Sequence, residues 1–356
     1  MKKLNLAIIG QGRSGRNIHG AFLKTENNVY FNVAAVVELD PERRARALEE
    51  YPGCDVYEDY HELFARDDLD LVVNATMSES HYPVTRELLL HGFNVLVEKP
   101  FARNYYECAD LMRIAKEKGV LLAVFQQSFL APYYKFTKDL VDNEKIGRVL
   151  SIDVSFSNFN RRWDWQTFQY KMAGCVYNTG PHPIGLALGF LGFSPDTQVV
   201  YSKLDRALAS GDAEDWAKIL LTAPGKPPVE VRICATDAFS DYTVKVQATR
   251  GTYQCTTLDY KMKYIVDGEN PERPPVHEPL KNDEGLPIYC REQLITHEEE
   301  GKFDGDAFLE GTGGFYKSLY ATLTEGVPLA VPTEWAAEII RIIEIVHGQN
   351  PMPVKF

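Results

Sequence analysis

The stretch AIIGQGRSGRNIHG, residues 7–20, decides the fold. A short apolar run ends on Gly10, and Gly12 and Gly15 follow in G-x-G-x-x-G spacing before residues of helical character. In this pattern the first glycine permits a tight turn out of a strand and the second lets a phosphate reach the backbone. The third lets the next helix lie close to the strand. A dinucleotide pyrophosphate would rest on the helix N-terminus, where free N–H groups and the dipole favour an anion. Arg13 and Ser14 share the loop and join the three glycines as candidate cofactor contacts. A bare match of this kind also fits a glycine-bearing turn with no ligand. Here a second strand follows and ends at Glu38, an acid placed to accept from both ribose hydroxyls of NAD and to repel the 2′-phosphate of NADP. NAD is therefore the expected cofactor and NADP is disfavoured. Arg43 and Arg44 form either a solvated helix face or, in principle, a phosphate clamp.

Working outward, the first third of the chain alternates short apolar runs with amphipathic segments. LNLAIIG, FNVAAVVEL, DLVVNAT, FNVLVEK and VLLAVFQQ read as strands. Residues 15–25, PERRARALEEY, 80–91 and 104–118 read as helices. Such alternation predicts a doubly wound parallel sheet over residues 1–126. From about Val149 the rhythm changes to VLSIDVSFS, TQVVYSKL, WAKILLT, VEVRICAT, TVKVQAT and GTYQCTT, strands joined by turn-rich links. The expected architecture is thus α/β, with a second α+β domain over residues 127–356 built on a large, mostly antiparallel open sheet. Residues 267–290, rich in Pro, Glu, Asp and Asn, read as an excursion loop. Helices near 312–325 and 333–347 close the chain and are expected to fold back toward the first domain.

Composition narrows the function classes. The 356 residues carry a formal net charge of −12, which argues against nucleic acid or an anionic membrane surface as main partner. Six scattered cysteines without a C-x-x-C pair suit a reducing compartment better than disulfides or zinc, so no metal is expected. The opening MKKLNLAIIG is too short in its apolar run for a signal peptide, and a cytoplasmic protein is expected. Residues 172–195 lack Asp, Glu, Lys and Arg but contain Asn178, His182 and three prolines, a poor membrane span.

NVLVEKPF ends a strand on Glu98, Lys99 and Pro100. Carboxyl strand ends of such sheets face the ligand crevice, where a lysine can stabilise charge developing on a substrate oxygen. A surface lysine paired with Glu98 satisfies the spacing equally well. The glycine loop, this E-K-P and a later G-x-H together resemble the Gfo/Idh/MocA oxidoreductases, the glucose–fructose oxidoreductase and inositol dehydrogenase family. VNATMSESHYPV is similar to that family's T-P-x-x-x-H segment, with Thr76 and His81 kept and Met77 in place of proline. SFLAPYYKFTKDLVDNEKIGRVLSI and the close GFYKSLYATLTEGVPLAVPTEWAAEIIRI also resemble family segments, so the likeness runs over nearly the whole chain.

The resemblance implies a Rossmann domain and an open-faced α/β domain with NAD(P) between them. It implies hydride transfer between a sugar or polyol carbon and nicotinamide, with Lys99 as the catalytic lysine before a Pro100 whose peptide is often cis. Thr76, His81, Glu98 and Gln127 become candidate cofactor contacts. A homo-oligomer, dimer or tetramer, is expected by resemblance, through a broad apolar face of the open sheet.

The sequence departs from the family at VYNTGPHPIG, residues 176–185. Family members carry D-x-G-x-H-x-x-D, and this chain has Asn178, Gly180, His182 and Gly185. A helix starting near Pro181 would put His182 in its first turn, where the dipole favours neutral imidazole. His182 is then expected to act as base with Lys99 sharing the oxygen, and Asn178 to position substrate, an amide supplying no charge. A buried helix-start histidine and a turn asparagine are the plain alternative. FQQSFLAP replaces the family's Asn and Arg with Gln126, Gln127 and Ser128; Gln127 either bonds the carboxamide or substrate or caps its strand.

FSNFNRRWDWQTFQY, residues 156–170, sets six aromatics among Arg161, Arg162 and Asp164. Aromatic faces beside hydrogen-bonding groups suit sugar rings, so Arg162, Trp163 and Asp164 are candidate substrate contacts. A core or interface role is open for each aromatic. Three functions remain in play. The first is an NAD-dependent dehydrogenase for a secondary hydroxyl of a sugar, inositol or glycoside. The second is a redox-neutral glycoside-cleaving enzyme that oxidises transiently, and the third an NAD(H)-binding sensor whose chemistry has lapsed.

Overall fold

The computed structural model describes residues 2–356. Six parallel strands form the first sheet: β1 (Leu4–Ile9), β2 (Phe31–Val37), β3 (Asp55–Tyr57), β4 (Leu71–Asn74), β5 (Val95–Val97) and β6 (Leu122–Val124). Their order is β3-β2-β1-β4-β5-β6, so the strand order switches sides between β1 and β4 and leaves a crevice at their carboxyl ends. The strands are apolar on both faces because helices cover both; Leu6, Ile8, Val36, Val72 and Leu96 are fully buried. Strand β3 is the one that periodicity misses, being three residues long behind the Pro52-Gly53 break.

The helix expected over residues 15–25 takes a different form. A wide π-helical coil over Arg13–His19 runs into a single α turn, α1 (Gly20–Leu23). α2 (Pro41–Glu50) starts where sequence chemistry says it should, with Pro41 in the first turn and the Asp40 carboxylate accepting from the N–H groups of Glu42 and Arg43. α3 (His81–Leu90) and α4 (Tyr105–Lys118) complete the cover, α4 capped by Asn104 and stopped by Gly119 in the left-handed region.

After α5 (Pro132–Asp142) the chain enters the second sheet. Its strands are β7 (Val149–Ser157), β8 (Gln198–Asp205), β9 (Trp216–Thr222), β10 (Val229–Cys234), β11 (Val244–Ala248), β12 (Gly251–Cys255) and β13 (Asp259–Tyr264). A two-stranded ribbon, β14 (Leu280–Lys281) and β15 (Pro287–Ile288), stands apart, and β16 (His297–Lys302) returns to the edge. The order is β16-β13-β12-β11-β7-β10-β9-β8, antiparallel throughout except for the central β7–β10 pair. The excursion runs beyond residue 290, up to β16, a strand hidden in sequence because HEEEGK reads as a charge run.

One face of this sheet packs on α7 (Pro181–Phe190) and α9 (Thr333–Gln349). α7 is apolar all round and nine of its ten residues are buried, as a helix wedged between a sheet and another helix requires. The other face departs from the apolar surface expected. Its cross-strand row reads Glu230, Asp153, Lys245, Gln254, Lys261 and Glu300, with Lys218 on Glu230 at 2.9 Å. Period-two alternation put the valines and isoleucines inward and left charges outside.

The two sheets are tied together by the last helices. α8 (Ala307–Glu325) brings Tyr316 to His19 and Tyr320 to the Lys2 carbonyl at 2.8 Å. In α9, Thr333 bonds the Leu122 carbonyl and Glu344 accepts from the Tyr105 N–H. Two further bridges cross nearer the crevice: Lys171 to Glu79 at 2.6 Å, and the Tyr177 hydroxyl to the Arg103 carbonyl at 2.7 Å. Among the described residues no helix is long and apolar enough to cross a membrane.

Candidate active site

The three loop glycines are not alike. Gly10 has φ +95°, and a Cβ there would stand 2.6 Å from the Ala75 carbonyl oxygen; one on Gly15 would stand 1.9 Å from the Gly10 carbonyl oxygen. Both therefore serve close packing of strand and coil. Gly12 differs, because nothing lies within 4 Å of the Cβ it lacks. The chain thus keeps an open cradle at the head of the Arg13–His19 coil, the room a phosphate needs against backbone N–H groups. Arg13 is exposed beside it and Ser14 half-buried. Gln11 is buried in the same loop with its Nε2 unpartnered, a donor without an acceptor.

Glu38 follows the end of β2. Its carboxylate accepts from the Gln11 N–H at 2.7 Å and the Asp40 N–H at 3.1 Å, which fixes it at the rim of the glycine loop. Arg43 lies 3.6 Å from the same carboxylate and is half exposed, whereas Arg44 is turned onto the Glu38 and Leu39 carbonyls.

Lys99 follows β5 and precedes a cis peptide to Pro100. Its Nζ donates 2.8 Å to the carbonyl oxygen of Asn178, which ends α6 (Cys175–Asn178). Burial and the nearby charges of Arg13 and Arg162 lower the Lys99 pKa, with Glu98 opposing them. His182 lies in the first turn of α7. Burial and the Lys99 charge push its pKa down to about 3, so the imidazole is neutral. Lys99 and His182 thus share one site, close enough for one charge to act on the other. The sequence brings them together because E-K-P ends β5 where α6 and α7 begin to cover it.

Several expected contacts already have protein partners. Glu98 is only 2% exposed; one carboxylate oxygen accepts from the Lys99 N–H at 3.0 Å and the other lies 3.2 Å from His19 Nε2. Burial works to raise the Glu98 pKa, but His19 beside it and the Lys99 charge outweigh it and hold the group below the usual range. His81 is likewise buried, its Nδ1 on the Pro100 carbonyl at 2.7 Å, and burial lowers its pKa. These two side chains brace the strand end instead of lining the crevice. Thr76 is partly exposed, with its hydroxyl on Asn74 at 2.7 Å. The Asn178 amide donates to the Gln166 carbonyl at 3.0 Å, so this residue meets Lys99 through its backbone and His182 not at all.

From the aromatic stretch, Arg162 reaches the charge field of Lys99 and lies 3.7 Å from Asp164, which itself caps the Gln166 N–H. Trp163 is 72% exposed, with the Arg161 guanidinium over its ring. Gln127 is half-buried and Gln126 fully buried, each with its Oε1 unpartnered. The sequence reading passed over two residues here. Ser128 places its hydroxyl 2.7 Å from His182 Nδ1, and His19 links Glu98 to the Tyr316 hydroxyl, which lies 2.8 Å from its Nδ1. Ser128 was visible as a departure from the family pattern; nothing local in the sequence marks His19 as a partner of residue 316.

Comparison with known proteins matches residues 4–126 to the family model "Oxidoreductase family, NAD-binding Rossmann fold" and residues 134–254 to the GFO/IDH/MocA C-terminal domain. A 2,7-anhydro-N-acetylneuraminate hydratase from Mediterraneibacter gnavus is 25% identical over 80% of this chain and 75% of its own. A scyllo-inositol 2-dehydrogenase (NADP(+)) from Bacillus subtilis is 23% identical over 96% of this chain and 92% of its own. An NAD-binding protein from Listeria innocua has the same fold, with TM-score 0.80 and 20% identity over 98% of both chains.

Proposed function

As the chain belongs to the GFO/IDH/MocA oxidoreductase family, with its NAD-binding Rossmann fold, we propose that it is an NAD-dependent dehydrogenase acting on a secondary hydroxyl of a sugar, inositol or glycoside. The observation that carries this reading is that Lys99, at the carboxyl end of β5, is bonded to the Asn178 carbonyl four residues before His182 and lies near enough for its charge to act on that imidazole. Gly12 leaves room for a pyrophosphate, and Glu38 stands where a ribose would lie. The choice of NAD over NADP rests on that carboxylate, because an adenosine 2′-phosphate would meet its charge. Arg43 beside it would favour NADP, the cofactor named for the scyllo-inositol dehydrogenase relative.

A nicotinamide cofactor held there supplies the hydride acceptor or donor. The protein must handle the hydroxyl proton and the charge on its oxygen. Neutral His182 can offer a lone pair to that proton, but an imidazole with a pKa near 3 is a weak base. The charge developing on oxygen therefore falls mainly to Lys99, whose ammonium is made more acidic by burial and by Arg13 and Arg162. Asn178 serves by aiming that ammonium with its carbonyl, and Arg162 by reaching into the same field.

The test is a panel of sugars, inositols and glycosides with NAD or NADP, read at the reduced-nicotinamide absorbance. Turnover of at least one polyol with a preference for NAD supports the reading. Aglycone release without net reduced cofactor would replace it with the redox-neutral reaction, which the hydratase relative favours. Tight NAD binding with no turnover across the panel would replace it with the sensor.

A further inference from the structure

We propose that Ser128 is the positioning residue of His182, taking the place at Nδ1 that a carboxylate would fill while withholding its charge. The proposal rests on His182 being the group that meets the substrate hydroxyl. Its geometry is direct. Ser128 Oγ lies 2.7 Å from His182 Nδ1, and Ser128 is buried at the head of the turn that follows β6. Asn178, four residues before the histidine, spends its amide on Gln166 and is not the partner. The Phe156 ring lies nearly parallel to the imidazole at 6.3 Å, supporting its flat side. Ser128 itself is only 8% exposed, so its hydroxyl is screened from bulk water.

The physical difference from a carboxylate is specific. A carboxylate at Nδ1 only accepts, so it fixes the proton on Nδ1 and stabilises the imidazolium. A hydroxyl can accept the Nδ1–H with similar geometry. The Nε2 lone pair is then presented to the crevice, as with a carboxylate, but no charge favours imidazolium. The ionisable groups that act on the ring from outside its helix are Lys99, which opposes protonation, and Glu98, which favours it from a buried position. The serine leaves that balance to them and orients the ring, which is why proton handling shifts toward Lys99.

The experiment pairs a structural readout with a kinetic one. Nitrogen-resolved NMR of the imidazoles, with His182 assigned by its own substitution, reports tautomer and pKa in protein free of cofactor and substrate. The wild type is expected as the Nδ1–H tautomer, neutral to well below pH 6. Ser128→Ala should give mixed tautomers and about a tenfold loss in kcat with KM for NAD unchanged. Ser128→Thr should restore both. Ser128→Asp should raise the His182 pKa by about one to three units and carry the acid limb of the pH–rate profile up with it. An Nε2–H tautomer in the wild type overturns the proposal, and so does a Ser128→Ala protein whose tautomer and profile are unchanged. Should Ser128→Ala fail to fold, the wild-type tautomer and the Ser128→Asp pKa still decide. The expected NMR changes in proteins that turn over nothing on the panel would support the positioning and sink the dehydrogenase reading alone.

Discussion

Lys99 Nζ and the carbonyl oxygen of Asn178 lie 2.8 Å apart, a bond that joins the end of β5 to the end of α6. It aims the ammonium at the turn that opens α7, so this lysine is aligned by the second domain and not by its own. The site therefore exists only when both domains are docked, and several measurable consequences come from that arrangement.

Replacing Lys99 by Met removes the cation proposed to meet charge on the substrate oxygen. A loss of roughly 10²–10³ in kcat is expected, the range found when a charge-stabilising donor is deleted. NAD affinity, measured by fluorescence titration, should be little changed. A variant that retains more than half of its kcat would remove Lys99 from the mechanism.

The lowered Lys99 pKa has a sign that kinetics can read. Burial is the main cause, with Arg13 and Arg162 adding to it and Glu98 opposing. A role that needs the ammonium is complete at lower pH and fades as pH rises through the lowered pKa. The basic limb should therefore fall below 10.5, the ordinary value for lysine. Arg162→Gln should move this limb upward; a limb unmoved would place Arg162 outside the site.

The glycines of the first loop should separate by phenotype. Gly12→Val adds a side chain to open space, so the fold should hold while NAD affinity collapses. Gly15→Ala drives a methyl to 1.9 Å from the Gly10 carbonyl oxygen and should cost about 1–3 kcal/mol of stability even without cofactor. Thermal melts with and without NAD distinguish the two, and a Gly12→Val protein still stabilised by NAD would contradict the cradle.

Beneath α6, His347 Nε2 lies 3.5 Å from Glu214, whose other oxygen accepts from the Val176 N–H at 3.0 Å. Burial acts to lower the His347 pKa, but the hydrogen bond and charge of Glu214, with the Ile343 carbonyl, raise it above 6.5. The folded state then holds this proton more tightly than the unfolded one. The stabilisation is complete below pH 6.5 and is lost as pH rises through the raised folded value. The melting-temperature gap between wild type and His347→Gln should accordingly narrow on going from pH 6 to alkaline solution. A gap constant with pH would refute the pairing.

The first domain was legible in sequence because its signals are local. Strand–helix alternation and the glycine spacing are set by neighbours within a few residues, and β1, β2 and α2 lie where they predict. β16 was not legible, since HEEEGK has the composition of a solvated loop and becomes a strand only by pairing with β13 at the sheet edge. In the site, Lys99 and His182 carried family spacing and could be named. Glu98 and His81 carried it too, yet fold inward, because spacing fixes which residue stands at a strand end but not which way its side chain turns. His19 and Tyr316 are 297 positions apart, and no pattern in a single chain announces such a contact.

The bonds that α8 and α9 make to Lys2, His19, Tyr105 and Leu122 bear on how this protein can be dissected. A fragment truncated near residue 126 would bare Phe31, Phe125 and the outer side of β6 to water, and would leave the Glu98–His19 pair without its tyrosine. Such a half-molecule should be insoluble or loosely ordered. Any cofactor titration meant to report on the nucleotide cradle is therefore best done on the uncut polypeptide.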